Sequence, residues 1–345
     1  MSVGYKAVGW NRQKKIYDLA LVAGVAAFLA LFTVVSLVAF PHVTAEILLI
    51  RAFGTAALFL LHVVLCIGPL ARLDRRFLPL LYNRRHLGVT TFLLGFVHSV
   101  LVVVTYHTGS DLNPIVSVFV SDAGASVSQF PFQAFGFIAL VILFLMAATS
   151  HDFWLANLTA PVWKTLHMLV YVAYAALVVH VVFGALQSET NPLYAAAMFL
   201  GVVLVVTLHC IAATREKPKD APREPATPDG FVEVCAVEEI PEHRARIATL
   251  AGERVAVFRY DGKISAVSNV CQHQNGPLGE GRIVKGCITC PWHGYQYLPD
   301  TGASPPPFTE KVPTFRVKVA DRRVWVDPRP NPPGTRVEPA IIEPN

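Results

Sequence analysis

Two short clusters near the C-terminal end, Cys271-Gln272-His273 and Cys290-Pro291-Trp292-His293, place two thiols and two imidazoles 16 residues apart. Paired Cys and His at this spacing mean metal. Zinc accepts both donors, but its ligand pairs usually run Cys with Cys and His with His. Here each cluster supplies one of each. That mixture suits a [2Fe–2S] centre with two thiolates on one iron and two imidazoles on the other. Exchanging two thiolates for neutral imidazoles removes negative charge, which favours the reduced state and raises the potential.

A second set of candidate ligands lies in far more apolar sequence. His62, His98, His167 and His180 fall inside long runs free of Lys, Arg, Asp and Glu. Ionisable residues at membrane depth are costly and mark functional sites, and neutral imidazole is a good axial ligand for haem iron. The alternative is a set of histidines hydrogen-bonded between helices. His167 and His180 stand 13 residues apart on one helix, a rise of about 20 Å and a turn that points them about 140° apart. Two haems at that separation carry an electron across most of a bilayer, which one haem cannot. Depth along the spans then pairs His98 with His180 for an outer haem and His62 with His167 for an inner one. His86, His151 and His209 fall at the membrane interfaces and read as structural or solvated, with each a fallback partner for His167.

The elements that must hold these groups follow from composition. Of 345 residues, 53% are hydrophobic and 15% charged, against about 25% charged in ordinary soluble domains. A disordered chain is excluded, and a wholly soluble one is disfavoured. Six stretches approach the roughly 20 apolar residues that cross a bilayer: Leu19–Phe40, Ala52–Ala71, Leu87–Tyr106, Pro131–Ser150, Leu166–Leu186 and Pro192–Thr214. Their flanks carry fourteen Lys and Arg on one side and only Arg51 on the other, so both termini are expected in the cytoplasm. The first run is too long for a signal peptide and lacks a small-residue cleavage site. Because the basic excess lies at the membrane surface, the net charge of +5 does not imply nucleic acid. The short apolar piece Pro114–Val120 is expected to be a lid on the outer face.

Residues 215–228 are charged and proline-rich, a semi-extended tether. Beyond it, alternating runs such as Glu253–Tyr260 and Lys263–Val267 flank Asp261-Gly262, a hairpin signal. Phe315–Ala320 and Val324–Asp327 add strands. Residues 229–328 thus form a small all-β domain, and 329–345 a proline-rich, extended tail. The fold class is a membrane all-α six-helix bundle over 1–214, followed by that β domain in the cytoplasm. A cytoplasmic location does not suggest disulfides, so Cys66, Cys210 and Cys235 read as buried small apolar residues.

Two resemblances sharpen this. Cys271-x-His273, Gly276-Pro277-Leu278-Gly279, Cys290-Pro291-Trp292-His293-Gly294 and Thr301-Gly302 closely resemble a Rieske domain, which implies the four ligands named above. The resemblance also implies that the inter-loop disulfide of high-potential respiratory members is absent. Gly276 or its neighbours and Trp292 stand at the corresponding positions, and Cys287 is misplaced for it. Tyr295 takes the place of a Ser that donates to sulfur in those proteins, and Tyr297 that of a conserved-type Tyr donor. A potential between ferredoxin-like and respiratory types is expected. Pro305-Pro306-Pro307 is expected to form a stiff loop shielding the cluster.

In the membrane half, Arg84-Arg85-His86-Leu87-Gly88 with His98-Ser99, Ala147-Ala148-Thr149-Ser150 and Trp163-Lys164-Thr165-Leu166-His167-Met168-Leu169 with Tyr171 and His180 resemble the ferric-reductase-like transmembrane family. The family includes ferric reductases, NADPH oxidases and the haem subunit of a bacterial methionine-sulfoxide-repair system. The resemblance implies b-type haems on third- and fifth-helix histidines, matching His98, His167 and His180. At one position the chain departs: Arg84 stands where oxidase members have a second third-helix histidine, so His62 is a substitute chosen from depth.

The flavin and nicotinamide modules of ferric reductases have no counterpart, since no Gly-x-Gly-x-x-Gly follows a strand. A Rieske oxygenase would need a two-His, one-carboxylate iron site, and none can be placed. The expectation is therefore a multi-pass inner-membrane electron carrier of oxidoreductase type, holding one [2Fe–2S] cluster and two haems b. It takes electrons from a cytoplasmic reductase and passes them to a periplasmic or extracellular acceptor or partner protein. The alternatives are a quinol-oxidising subunit that sends electrons inward and a membrane redox sensor.

Overall fold

The structure is a computed structural model. It describes residues 12–81, 83–108, 113–119, 131–150, 154, 158, 160–188, 191–216, 229–273, 276–292 and 294–343. The chain divides into two compact units, one helical and one holding the β domain.

The helical unit is built on long apolar runs that satisfy their own backbone hydrogen bonds, as a lipid environment requires. Helices α1 (Arg12–Ala39), α2 (Ala45–Leu73) and α3 (Arg84–Tyr106) come first, then α4 (Phe132–Ala148), α5 (Ala160–Met168), α6 (Val170–Phe183) and α7 (Pro192–Glu216). Among the described residues five helices are long and apolar enough to cross a membrane, with α5 and α6 joined in one such span, Val162–Gln187. This is a membrane protein.

The expected six spans become five plus one shorter helix. Helix α4 has 17 residues, about 25 Å at 1.5 Å per residue. At its end the hydroxyls of Thr149 and Ser150 bond back onto the carbonyls of Leu145 and Met146, both at 2.7 Å. The tract Leu166–Leu186 is also not one regular helix. It carries an irregular turn at Leu169, whose N–H reaches only as far as the Leu166 carbonyl at 3.2 Å. Pro114–Phe119 is a single short helix.

Small residues let α4 and α6 approach closely: Ala139 and Ala173 are fully buried, with Ala176 and Leu143 beside them, the usual solution in membranes where packing rather than hydrophobicity drives association. Elsewhere Leu61, Leu65, Tyr174 and Val205 form a core shared by α2, α6 and α7. Cys66 and Cys235 are buried as expected, but Cys210 is exposed on α7.

In the β domain, β2 (Ala245–Leu250), β3 (Glu253–Tyr260) and β4 (Lys263–Ser268) form an antiparallel meander, with β1 being Val232–Ala236. The hairpin between β3 and β4 turns on Asp261 (φ 47°) and Gly262 (φ 70°), the two positive φ values that a type I′ turn needs. Strands β5 (Arg282–Val284), β6 (Cys287–Thr289) and β7 (Gln296–Tyr297) make a small three-stranded sheet. Next come β8 (Thr314–Phe315), β9 (Val317–Ala320), β10 (Arg323–Val326) and β11 (Ala340–Ile341). The order β1-β10-β9 forms a third sheet, while β8 and β11 both pair with β4.

Alternation along β3 feeds two cores at once, because successive side chains point to opposite faces. Val255 and Val257 enter one core with Val232, Ile264, Phe315 and Val324. Ala256 and Phe258 enter a second with Leu278, Ile288, Tyr295 and Tyr297.

The segment after residue 328 is docked, not a free tail. Asn331 N–H donates to the Thr314 carbonyl at 2.9 Å, Val337 N–H to the Asp300 carbonyl at 2.8 Å, and β11 pairs with β4. Such pairing satisfies backbone groups that an open strand edge would leave exposed. Asp327 starts the segment and is 1% exposed. Its carboxylate accepts from Arg329 Nε at 2.9 Å, from Arg329 N–H at 3.1 Å and from Arg316 Nε at 3.0 Å.

Burial by itself pushes Asp327 up, but the hydrogen bonds of Arg329 and Arg316 outweigh it and hold the carboxyl at about 2. The folded value lies below the unfolded one of about 3.9, so this stability is complete above about pH 4 and is lost as pH falls through about 2. We predict that Asp327→Asn lowers unfolding stability of the β domain by about 2 kcal/mol at pH 7. In denaturant titrations the gap to wild type should narrow progressively below pH 4.

Candidate functional site

The first candidate site is made by two loops between strands. Asn269–Gly281 joins β4 to β5, and Cys290–Tyr295 joins β6 to β7. The first loop closes on itself: Cys271 N–H donates to the Gly276 carbonyl at 2.9 Å, Leu278 N–H to the Asn269 carbonyl at 2.8 Å, and Gly279 N–H to Asn269 Oδ1 at 2.7 Å. The second is held by Cys290 N–H on the Tyr295 carbonyl at 2.7 Å and Gly294 N–H on the Cys290 carbonyl at 2.9 Å. Gly294 has φ +72°, a left-handed conformation in which a side chain would be strained.

The two loops meet at Gly276. A Cβ there would lie 2.7 Å from Cys290 Sγ and 3.2 Å from the Trp292 ring. A glycine packed on a tryptophan thus sits where the sequence comparison places the absent disulfide. No disulfide joins any of the six cysteines, all of which lie among the described residues.

Cys271 and Cys290 are 1% and 2% exposed, and the His273 Nδ1 atom is buried. His293 lies outside the described residues. Buried thiols and an imidazole nitrogen, converging from two loops whose backbones are internally bonded, fit a [2Fe–2S] cluster. The Tyr297 hydroxyl is 3.3 Å from Cys271 Sγ and accepts the Gln272 N–H at 3.0 Å. Burial first, then the nearby Cys271 sulfur, push that hydroxyl well above the usual phenol range, so its proton stays available for the sulfur.

Tyr295 behaves differently. Its ring lies parallel to that of His273, with centroids 4.9 Å apart and 9° between planes, and its hydroxyl donates to the Glu310 carboxylate. It does not act as the sulfur donor whose place it takes. The Pro305–Pro307 loop reaches the site through Phe308, which meets the Tyr295 ring edge-on at 5.0 Å.

The second candidate site lies in the helical unit. His98 of α3 and His180 of α6 come together, with ring centroids 6.3 Å apart and planes at 83°. A transition-metal ion holds an imidazole nitrogen at about 2 Å, so two imidazoles on opposite sides of one iron have centroids about 6 Å apart. His98 Nδ1 is 2.9 Å from the Ile50 carbonyl on α2, and His180 Nδ1 is 3.0 Å from the Phe132 carbonyl on α4. Carbonyls only accept, so each Nδ1 carries the proton and each Nε2 keeps its lone pair. This carbonyl-anchored tautomer is the usual outer-shell arrangement of metal-binding histidine. The close approach needs glycine: a Cβ at Gly54 or Gly136 would lie 2.8 Å from the Nδ1 of His98 or His180. These residues fit one haem.

His62 and His167 are engaged elsewhere, and among the described residues no contact joins them. His62 Nδ1 bonds the Leu58 carbonyl at 2.9 Å, and its Nε2 accepts the Tyr174 hydroxyl at 3.0 Å. To reach an iron, His62 would have to give up that hydroxyl. His167 Nδ1 bonds the Trp163 carbonyl at 3.0 Å, its ring stacks on Trp163 at 3.8 Å, and Ser150 Oγ lies 3.5 Å from its Nε2. Depth along a helix determined these two positions' level but not their direction.

Of the interfacial histidines, His86 bonds Asp18 at 2.7 Å and His209 bonds Tyr171 at 3.0 Å. His151 lies outside the described residues. The carbonyl anchors, Gly54 and Gly136, and the Tyr174–His62 pair were missed from sequence. A glycine within an apolar span was the available signal for the close approaches.

Comparison with known proteins finds a family match for each half of the chain. The family described as Rieske [2Fe-2S] domain matches residues 230–316, and that described as ferric reductase like transmembrane component matches 53–178. A naphthalene 1,2-dioxygenase system ferredoxin component from Pseudomonas aeruginosa is 31% identical over 98 residues, 28% of this chain and 94% of that protein. The chain joins a ferric-reductase-like transmembrane domain to a Rieske domain.

Cholesterol 7-desaturase nvd 1 from Ciona intestinalis is 36% identical over 93 residues, 26% of this chain but only 20% of that protein. The chain thus spans about a fifth of the desaturase. A solved complex of reduced oxygenase and oxidized ferredoxin in carbazole 1,9a-dioxygenase is 27% identical, covering 29% of this chain and 95% of the matched one, with a TM-score of 0.28. Rieske and ferric-reductase-like domains together indicate electron transfer.

Two predictions follow from the Rieske and haem-site geometries. Tyr297→Phe removes a hydroxyl donor to sulfur and should lower the cluster midpoint by roughly 60 mV, a tenfold change for a one-electron couple, in an EPR-monitored titration. Gly136→Leu drives a side chain into His180 and should abolish at least one haem's absorbance per chain while leaving the Rieske EPR signal intact.

Proposed function

We propose that this protein carries electrons across the inner membrane, from a cytoplasmic reductase at the Rieske domain to an acceptor or partner protein at the outer face. In this reading Cys271, His273, Cys290 and His293 hold a [2Fe–2S] cluster, while His98 and His180 hold the outer of two haems b; these groups, when bound, supply the one-electron chemistry. His167 is the ligand proposed for the inner haem, with His62 as its partner once Tyr174 releases it. Residues 1–214 form the haem domain, 215–228 the tether and 229–328 the Rieske domain, with both termini cytoplasmic.

The observation that carries this reading is the His98–His180 pair. Two imidazoles from different helices stand at the separation one iron requires, each with its proton committed to a carbonyl of a third or fourth helix. Four helices converge to fix two lone pairs, more than a lone hydrogen-bonded histidine needs. In the Rieske domain, the Tyr297 hydroxyl stabilises negative charge on Cys271, and the apolar shell of Leu278, Ile288 and Val312 excludes water. Excluding water reduces the solvent reorganisation that accompanies a change of charge, so electrons pass with less rearrangement.

The test uses purified full-length protein. Haem, iron and sulfide are counted per chain, and the cluster is then reduced in rapid-mixing experiments while haem absorbance is followed. Two haems, two cluster irons and two sulfides are expected, with haem reduction following cluster reduction. Substantial zinc instead of iron, or haem that never responds to cluster reduction, would overturn the proposal.

A further inference from the structure

Tyr295 and Tyr297 are neighbours in the same core, 1% and 0% exposed, with ring centroids 5.5 Å apart, yet their hydroxyls have different partners. The Tyr297 hydroxyl lies 3.3 Å from the Cys271 sulfur. Tyr295, whose ring covers the His273 imidazole face to face, gives its proton to a carboxylate, Glu310. Glu310 is itself fixed: its carboxylate also accepts the Thr309 N–H at 3.1 Å, and its carbonyl accepts the Ser304 N–H at 2.9 Å. Between those anchors runs the Pro305–Pro307 loop, whose Phe308 closes on the other edge of Tyr295.

We propose that Glu310 is a positioning residue of the Rieske site, acting through Tyr295. The inference rests on the ligand assignment above and adds to it. The Glu310–Tyr295 bond latches the proline loop to the core and holds the phenol flat against His273. It also places a fixed negative charge one phenol away from a ligand ring.

Adding an electron to the site is less favourable beside that charge, which the partly buried setting of Glu310 screens less than open water would. The two tyrosines therefore set the potential in opposition. Tyr297 favours the reduced state by stabilising negative charge on sulfur, and the Tyr295–Glu310 pair favours the oxidised state. Tyr295, bonded to Glu310, stands where the respiratory members that this domain resembles have a sulfur-directed Ser.

The test is an EPR-monitored redox titration of full-length protein. Glu310→Gln should raise the reduced-to-oxidised ratio of the cluster at fixed ambient potential about tenfold, a shift of about 59 mV for a one-electron couple. This sign is opposite to that expected for Tyr297→Phe. Because Glu310 acts through the phenol, the same substitution made in a Tyr295→Phe background should move the ratio less than threefold. An unchanged or lowered midpoint in Glu310→Gln, or full additivity of the two substitutions, would overturn the proposal.

If Glu310→Gln fails to retain a cluster, Glu310→Asp carries the test. It keeps the charge but withdraws it from Tyr295, so a raised midpoint supports the role and an unaltered one refutes it. A wild-type protein without a Rieske-type EPR signal would overturn the ligand assignment itself, an outcome distinct from any shift in midpoint.

Discussion

A neutral imidazole has one proton and one lone pair, and whichever nitrogen finds a carbonyl commits the other to being an acceptor or a ligand. Inside a bilayer, with no water to share the work, that commitment is enforced by the cost of an unsatisfied polar group. This constraint sorts the histidines of the helical unit. His98 and His180 spend their protons on carbonyls of neighbouring helices and turn toward each other. His62 and His209 spend theirs on their own helices, at Leu58 and Val205, and their second nitrogens take the hydroxyls of Tyr174 and Tyr171. The same residue type therefore ends in two arrangements: one pair lies ring to ring, and the other bonds tyrosines of neighbouring helices.

The Rieske domain meets the same problem in a different way. Its candidate ligands lie in loops, where backbone groups have no strand partner, and the described residues of both loops answer by bonding internally. Internal bonding of this kind is what a site needs if a metal is to see fixed donors. Hydroxyl placement then does the tuning. Tyr295 and Tyr297 are two residues apart and enter the same core, yet one hydroxyl lies beside the Cys271 sulfur and the other bonds Glu310.

Much of this was legible from residue type and period. The long apolar runs, the Asp261-Gly262 hairpin between β3 and β4, and the unusual mixing of Cys and His in each cluster all follow from local chemistry. Less legible were features that depend on an element's ending or on a distant partner. Helix α4 ends at Ala148, two residues before its apolar run does, and the hydroxyls of Thr149 and Ser150 bond back onto its last turn. Residues beyond 328 look like a loose tail by their prolines, yet they are bound by Asp327 and by the open edge of β4.

What the sequence by itself determined is the set of donors and the periodicity that carries them: four histidines at membrane depth, two Cys–His clusters, and the alternation that makes a β domain. Depth along the spans already paired His98 with His180; only the tertiary structure shows which partner each imidazole nitrogen takes. His98 meets His180 because Gly54 and Gly136 yield the space and two carbonyls take the protons, while His62 is claimed by Tyr174. The reason is that pattern fixes a residue's height and face within its own element, whereas the direction of a side chain's lone pair depends on neighbours that can be a hundred residues away.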